Sequence, residues 1–209
     1  MRNITTGPRC LGCRLRPELC ICAQMPRIET QTKVTIVMHG LERRKSSNTG
    51  ALAQRVLVNS EIVLFGNNLP PLPERVWPLG SVPVVLFPVA GGQPVEDFRG
   101  TRNLTLIALD ANWRQATKLR RRFASQNIPF ARAPDVEPSL YKLRTSPHAG
   151  GLSTYEAIVR SLAALEDIAL ADALTTFRMF QDRLLWRRGA IDTGEVEGGI
   201  PDGARRNTP

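Results

Sequence analysis

Long apolar runs are missing from this chain of 209 residues. No stretch approaches the roughly 18–20 uncharged apolar residues that a membrane-spanning helix requires, so the sequence predicts no spanning segment. The opening residues, MRNITTGPRCLGCRLRP, also lack the apolar core of a secretory signal. The expected location is therefore the cytoplasm, with no membrane partner.

Lysine is scarce, although the chain is strongly basic. Only four of the 28 basic residues are lysines and the rest are arginines, against 19 acidic residues, and the net charge is +9. Because the planar guanidinium group suits phosphate and stacks on bases, this composition favours a nucleic-acid partner over a small neutral substrate. The alternative at this point is an arginine content that only reflects genomic base composition.

Cysteine is absent after residue 22. The four cysteines follow the pattern C-x2-C-x6-C-x-C, at Cys10, Cys13, Cys20 and Cys22. Cytoplasmic thiols stay reduced, and four thiolates complete the tetrahedral shell of a structural Zn²⁺, which leaves no open position for catalysis. An iron–sulfur cluster would accept the same ligands. Nothing nearby indicates redox chemistry, so we predict a small zinc knuckle.

Short apolar runs rich in Val, Leu and Ile predict strands buried on both faces, as in a parallel sheet covered by helices. These runs are Lys33–Met38, Glu61–Phe65, Val82–Phe87 and Asn103–Leu109, and helical patterns lie at 113–124, 153–170 and 172–187. Their order predicts an α/β fold. We expect a knuckle over 1–30, a main domain over 31–188 and a flexible, Gly-rich tail over 189–209.

A basic loop, HGLERRKSSNTG, follows the first predicted strand. In open α/β sheets, ligands bind at the carboxyl ends of the strands. A cap from Ser47 or Asn48 would begin the next helix, and basic side chains beside a helix N-terminus form an anion site. The basic residues are Arg43, Arg44 and Lys45. The alternative is a plain cap beside solvated charges.

A second loop places Asp110 directly after a buried strand, where its carboxylate would reach a cleft, and Trp113 begins the helix that follows. Four basic residues then share one helical face, at Arg114, Lys118, Arg121 and Arg122. Such a face can follow a phosphate backbone. The alternatives are a helix N-cap for Asp110 and a solvated face for the basic residues.

A third loop, YKLRTSPHAGGLSTYEA, contains the flexible pair Gly150-Gly151. Ser153 and Glu156 form an S-x-x-E capping box before an apolar helix. Capping alone explains both residues, although a cofactor lying on this turn would use the same backbone N–H groups.

Together these residues resemble the DTW-domain family, the tRNA-uridine aminocarboxypropyltransferases, over residues 9–188. The resemblance rests on the knuckle with Arg16-Pro17, H-x-x-E at His39–Glu42, Asn48-Thr49-Gly50, Leu86-Phe87-Pro88, D-x-x-W at Asp110–Trp113 and LSTYEA at 152–157. One departure is visible: the family usually has Asp-x-Thr-Trp, and Asn112 stands where that threonine would be.

The resemblance implies a SPOUT-like, mostly parallel sheet flanked by helices, with a C-terminal trefoil knot. It implies S-adenosyl-L-methionine (SAM) as donor of a 3-amino-3-carboxypropyl group, with methylthioadenosine leaving, and N3 of a tRNA uridine as acceptor. Asp110 would remove the N3 proton, and Trp113 would stack on the uracil or support the loop. The residues expected to hold the donor are Asn48, Thr49, Gly50, Leu86, Phe87, Pro88, Leu109, Asp110, Leu143, Arg144, Leu152, Ser153 and Thr154.

Two other functions stay open at this point. An RNA methyltransferase of the same fold would use SAM but present its methyl carbon. A non-catalytic, zinc-containing RNA-binding protein would bind tRNA without modifying it. The mass of the modified nucleoside separates all three.

Overall fold

Six strands and four helices build the main body of the computed structural model, which describes residues 7–134, 137–143 and 151–207. The strands are β1 Lys33–His39, β2 Ser60–Phe65, β3 Val82–Leu86, β4 Gln93–Pro94, β5 Leu104–Asp110 and β6 Phe130–Arg132. The helices are α1 Thr49–Val56, α2 Trp113–Ser125, α3 Thr154–Leu165 and α4 Leu170–Arg187. The strands form one sheet in the order β2-β1-β5-β3-β6-β4, and all paired strands are parallel. The predicted α/β class is confirmed.

The central strands alternate their side chains between two apolar layers, as the strand period of two requires. From β5, Leu106 and Ala108 join the layer that contains α1, α3 and α4, whereas Ile107 and Leu109 face α2. All seven residues of β5 are buried. Because both faces are covered, the strand forms a continuous apolar run rather than an alternating one.

Three differences between the predicted and the observed strands and helices exceed a shift of a residue or two at a boundary or concern the site. The short strands β4, at the edge of the sheet, and β6, next to it, were not predicted. Asp110 is the last residue of β5 instead of lying just past it. The helical pattern over 153–170 is broken after Leu165, and the Glu166 carboxylate there accepts hydrogen bonds from the backbone N–H groups of Gln31 and Thr32 at 2.7 and 2.9 Å.

Three helices begin close to the carboxyl edge of the sheet, each with a polar N-cap. Asn48 caps α1, Asn112 caps α2 in a capping box with Gln115, and Ser153 caps α3. The predicted box of Ser153 with Glu156 is confirmed. The alternative that Asp110 caps α2 is wrong, because Asn112 occupies that position.

The C-terminal segment contacts α4 along much of its length. Val196 is buried. The Trp186 indole donates to the Thr193 hydroxyl at 3.0 Å, and the backbone N–H of Asn207 donates to the Arg187 carbonyl at 2.9 Å. The trefoil knot stays a prediction, since residues 144–150 lie outside the described part of the chain. None of the helices in the described ranges combines the length and the apolar surface that crossing a bilayer demands.

Deletion of residues 191–209 should destabilise the domain. Loss of the buried Val196 side chain alone corresponds to about 1.5–3 kcal/mol, which would lower the melting temperature by several degrees in differential scanning fluorimetry. Val196→Asp, which places a charge at the same contact, should reproduce much of the loss. If neither variant changes the midpoint, the segment is unpacked in solution.

Candidate active site and metal centre

A cavity of about 630 Å³ opens at the carboxyl edge of the sheet, beside the ends of β3 and β5. Small-molecule sites commonly have volumes of about 300–1,000 Å³. Its lining residues come from the ends of these strands, the starts of α1, α2 and α3, the turn after β1, and the segment 137–143. The cavity therefore lies where parallel sheets of this kind usually bind ligands.

Asp110 lies in the polar part of this cavity and is only 4% exposed. Its Oδ2 accepts a hydrogen bond from the Asn48 side-chain amide at 2.5 Å, and its Oδ1 accepts one from the Thr154 hydroxyl at 2.8 Å. The two donors belong to the N-terminal ends of α1 and α3. The carboxylate is thus held on both sides, and its orientation is determined by two helices.

Asn48 and Gly50 allow α1 to approach Asp110 closely. The Asn48 amide oxygen accepts from the N–H of Ala51 at 2.6 Å, which directs its NH₂ group toward the carboxylate. A Cβ atom on Gly50 would lie 2.8 Å from Asp110 Oδ2, closer than real Cβ contacts come. Any other residue at position 50 would push the helix away from the acid.

A buried glutamate, Glu156, holds the segment that forms another wall of the cavity. Its carboxylate is 0% exposed and accepts from the Ser139 hydroxyl at 2.8 Å and from the Leu140 N–H at 2.6 Å. The Tyr141 hydroxyl donates to the carbonyl of Ser47 at 3.1 Å. Segment 137–143 is therefore fastened to both α3 and the start of α1.

Another part of the cavity lining is apolar and contains aromatic rings. Trp113 is half-buried and packs against Phe87 with ring centroids 5.7 Å apart. Leu86, Leu109 and Leu152 also line the cavity. The flat surface suits a planar, weakly polar ring such as a nucleobase.

Most of the residues predicted to hold the donor line this cavity. They are Thr49, Leu86, Phe87, Pro88, Leu109, Asp110, Leu152, Ser153 and Thr154. Asn48 and Gly50 instead contact the Asp110 carboxylate. Asn48 donates a hydrogen bond to it, and the backbone of Gly50 lies close to it. Leu143 packs against the apolar core, and Arg144 lies outside the described residues.

Several lining residues were not predicted to be part of the site. They include Glu42, Ser139, Tyr141 and Lys142. Glu42 appeared only inside the H-x-x-E motif, where its burial could not be seen. Ser139 and Lys142 belong to no recognisable pattern.

Most of the predicted basic side chains are exposed to solvent, but not all of them are free of contacts within the protein. Arg43, Arg44, Arg114, Lys118 and Arg121 are exposed. Arg122 is half-buried and donates to the carbonyl of Pro73 at 2.6 Å, so it holds the connector before β3. Arg43 follows the lining residue Glu42, and Arg114 follows the lining residue Trp113. The exposed charges therefore begin at the rim of the cavity.

The four cysteines form one cluster whose sulfur atoms all lie within 4.8 Å of one another. The Cys10–Cys22, Cys10–Cys20 and Cys13–Cys20 sulfur pairs are separated by 3.5, 3.5 and 3.7 Å. A tetrahedral Zn²⁺ with bonds of about 2.3 Å would place its sulfurs about 3.8 Å apart. The donor set and its spacing therefore fit a structural zinc ion.

The backbone favours a thiolate at Cys10, whereas burial raises the pKa of the Cys13 and Cys22 thiols. Burial raises the pKa of the Cys10 thiol, but the N–H groups of Cys13 and Gly12 and the neighbouring thiols oppose it and bring this pKa down to about 6. The thiolate is the form that ligates metal.

Arg183 connects α4 to this knuckle. Its guanidinium group is 2% exposed and donates to the carbonyls of Leu19 and Cys20 at 3.2 and 2.8 Å and to the Gln24 side chain at 3.1 Å. Four thiolates around Zn²⁺ carry an excess of two negative charges, and a buried cation beside them offsets part of that charge.

Comparison with known proteins assigns the family. The chain belongs to the DTW domain family, whose model matches residues 7–185. It is also 25% identical over 170 residues to the tRNA-uridine aminocarboxypropyltransferase 2 of Drosophila melanogaster, and the match covers 76% of this chain and 66% of that protein, just under two thirds. No solved structure matches the chain. The resemblance inferred from the motifs is confirmed at the level of the family.

Replacement of Arg183 by Met should weaken Zn²⁺ binding by about 10- to 100-fold, because it removes a cation and hydrogen bonds next to the ligands. Competition with a chromogenic chelator measures this affinity. Arg187→Met is the matched control: Arg187 lies on α4 like Arg183, but its guanidinium group pairs with the exposed carboxylate of Glu18 and, among the described residues, with no backbone carbonyl of a cysteine. Equal effects of the two variants would contradict the role of Arg183.

Cys20→Ser should abolish the stoichiometric metal that elemental analysis is expected to find in the wild-type protein. Wild-type protein purified without any bound metal would overturn the metal centre itself.

Proposed function

We propose that this protein transfers the 3-amino-3-carboxypropyl group from SAM to N3 of a uridine in tRNA and releases methylthioadenosine. One observation carries the proposal: a buried carboxylate, Asp110, is held in a defined orientation at the edge of a ligand-sized cavity. Membership of the DTW domain family and the similarity to a tRNA-uridine aminocarboxypropyltransferase support it.

The cavity offers the contacts that a sulfonium nucleoside needs. Leu86, Phe87 and Leu109 supply an apolar surface for an adenine ring, and Ser153 and Thr154 supply polar groups at a helix N-terminus. SAM, when bound, supplies an electrophilic carbon already activated by the positive sulfur. The protein has to orient the reacting groups and manage one proton.

Asp110 is the proposed general base. Uridine N3 carries a proton and is a poor nucleophile while neutral, so a positioned carboxylate that removes the proton during attack accelerates the reaction. Asn48 and Thr154 both donate hydrogen bonds to this carboxylate. An ionised carboxylate only accepts hydrogen bonds, so these two donors match the ionised form that a general base requires. Trp113 would support an unstacked uracil beside it.

The exposed basic residues at the rim would bind the phosphates of tRNA. Arg43 and Arg44 follow β1, while Arg114, Lys118 and Arg121 lie on α2. Because β1 and β5 are neighbours in the sheet, both groups begin at the same edge as the cavity. A nucleotide placed in the cavity would then have its backbone next to these charges.

Asp110→Asn should lower turnover by about 100- to 10,000-fold, which is the usual contribution of general acid–base catalysis. The amide keeps an acceptor for Asn48 and presents a donor to the Thr154 hydroxyl, so the fold should be retained. Nucleoside mass spectrometry of tRNA incubated with SAM measures the product. Thr154→Ser, which keeps the hydroxyl, is the matched control and should stay active.

The outcomes of this experiment separate the candidate functions. A methylated nucleoside from the wild-type protein would assign the chain as a methyltransferase. Bound but unmodified tRNA would indicate a non-catalytic RNA-binding protein. Full turnover by Asp110→Asn would remove Asp110 from the role of base.

The double variant Arg114→Gln, Arg121→Gln should weaken tRNA binding and lower the slope of log affinity against log salt by about two, one for each lost phosphate contact. Arg102→Gln, Arg205→Gln is the control: it removes the same charge from exposed positions, in the turn before β5 and near the C-terminus. Identical salt slopes for the two double variants would show that only total charge matters.

A further inference from the structure

Glu42 is a second buried carboxylate in the same cavity as Asp110. It begins the short 3-10 helix Glu42–Arg44 that follows β1, and it is 3% exposed. Its side chain lines the cavity. A carboxylate buried to this degree requires a compensating positive charge or donor.

A compensating group that contacts Glu42 Oε1 is a primary ammonium, the Nζ of Lys45. The Lys45 side chain is 42% exposed, so its ammonium reaches the carboxylate from solvent. Exposed lysines are flexible and strongly hydrated, whereas the buried Glu42 carboxylate needs a positive partner of some kind. Another ammonium could therefore replace Lys45 at small cost.

The charges that line the cavity favour a cationic ligand. Among the described residues, the charged lining side chains are Glu42, Asp110 and Lys142, which leaves one excess negative charge once Lys45 is displaced from Glu42. SAM carries a sulfonium, an ammonium and a carboxylate, and so has one excess positive charge. The two sets of charges are complementary.

We propose that Glu42 binds the α-ammonium of the amino-acid arm of SAM and that this ammonium takes the place of Lys45. The inference rests on the proposed function, and it adds a binding residue that distinguishes the donor from other adenosine compounds. Binding at Glu42 would hold the amino-acid arm, which is the group to be transferred, beside the turn that follows β1.

A purely structural role for the Glu42–Lys45 pair makes a different prediction. The backbone N–H of Lys45 donates to the Glu42 carbonyl at 3.0 Å, so the two residues also close a turn. If the ion pair only supports this turn, its loss would lower stability and weaken all ligands equally.

Isothermal titration calorimetry of the full chain with SAM and with methylthioadenosine tests the proposal, since methylthioadenosine lacks the amino-acid arm. Glu42→Gln should weaken SAM binding by about 10- to 100-fold, the usual value of a hydrogen bond between charged groups. The affinity for methylthioadenosine should stay within about twofold of the wild-type value. Glu42→Asp, which keeps the charge, should recover part of the lost SAM affinity.

Lys45→Met is the matched control, because it removes the competing ammonium and leaves the carboxylate in place. It should bind SAM at least as tightly as the wild-type protein. Weaker SAM binding by Lys45→Met, or equal losses for both ligands in Glu42→Gln, would overturn the proposal in favour of a structural pair.

Two further results separate this inference from the proposed function. If wild-type protein binds SAM and Glu42→Gln binds it equally well, the role of Glu42 is wrong and the proposed reaction stands. If wild-type protein binds neither compound, the proposed function fails, and the inference fails with it. Should Glu42→Gln not fold, a SAM analogue with a hydroxyl in place of the amino group gives the same comparison on wild-type and Glu42→Asp protein.

Discussion

The carboxylate of Asp110 joins three parts of the chain that are distant in sequence. Asn48 lies 62 residues before it and Thr154 lies 44 residues after it, yet each donates a hydrogen bond to one of its two oxygens. Gly50 makes the approach of α1 possible. The arrangement of the cavity depends on this meeting point, because α1, β5 and α3 all contribute to its walls and are aligned by one acid.

Glu156 performs the corresponding task for the irregular part of the site. It closes the capping box of α3 and at the same time accepts from Ser139 and Leu140. A loop without regular structure has no ladder of its own to satisfy its backbone, so a buried acceptor supplies that need. The carboxylates of Asp110 on β5 and Glu156 on α3 thus hold the polar groups at the carboxyl edge of the sheet in place. The two apolar layers on the faces of the sheet supply the stability of the fold.

The features that the sequence predicted correctly are those formed by residues close together in the chain. The buried strand β5 was visible as a continuous apolar run, and the cysteine cluster was visible because its four ligands lie within one short stretch. Strands β4 and β6 have two and three residues, too few for any periodicity. Glu42 was missed as a site residue because an acid before three basic residues resembles a solvated loop, and only the tertiary fold buries it. The roles of the site residues remain predictions.

The link between Arg183 and the knuckle has a consequence for how the chain matures on the ribosome. The cysteines emerge early in synthesis, whereas the guanidinium that donates to the Cys20 carbonyl follows 163 residues later. The N-terminal thiols therefore leave the exit tunnel long before their buried counter-charge exists. The knuckle reaches its final electrostatic environment only once α4 has been translated and docked.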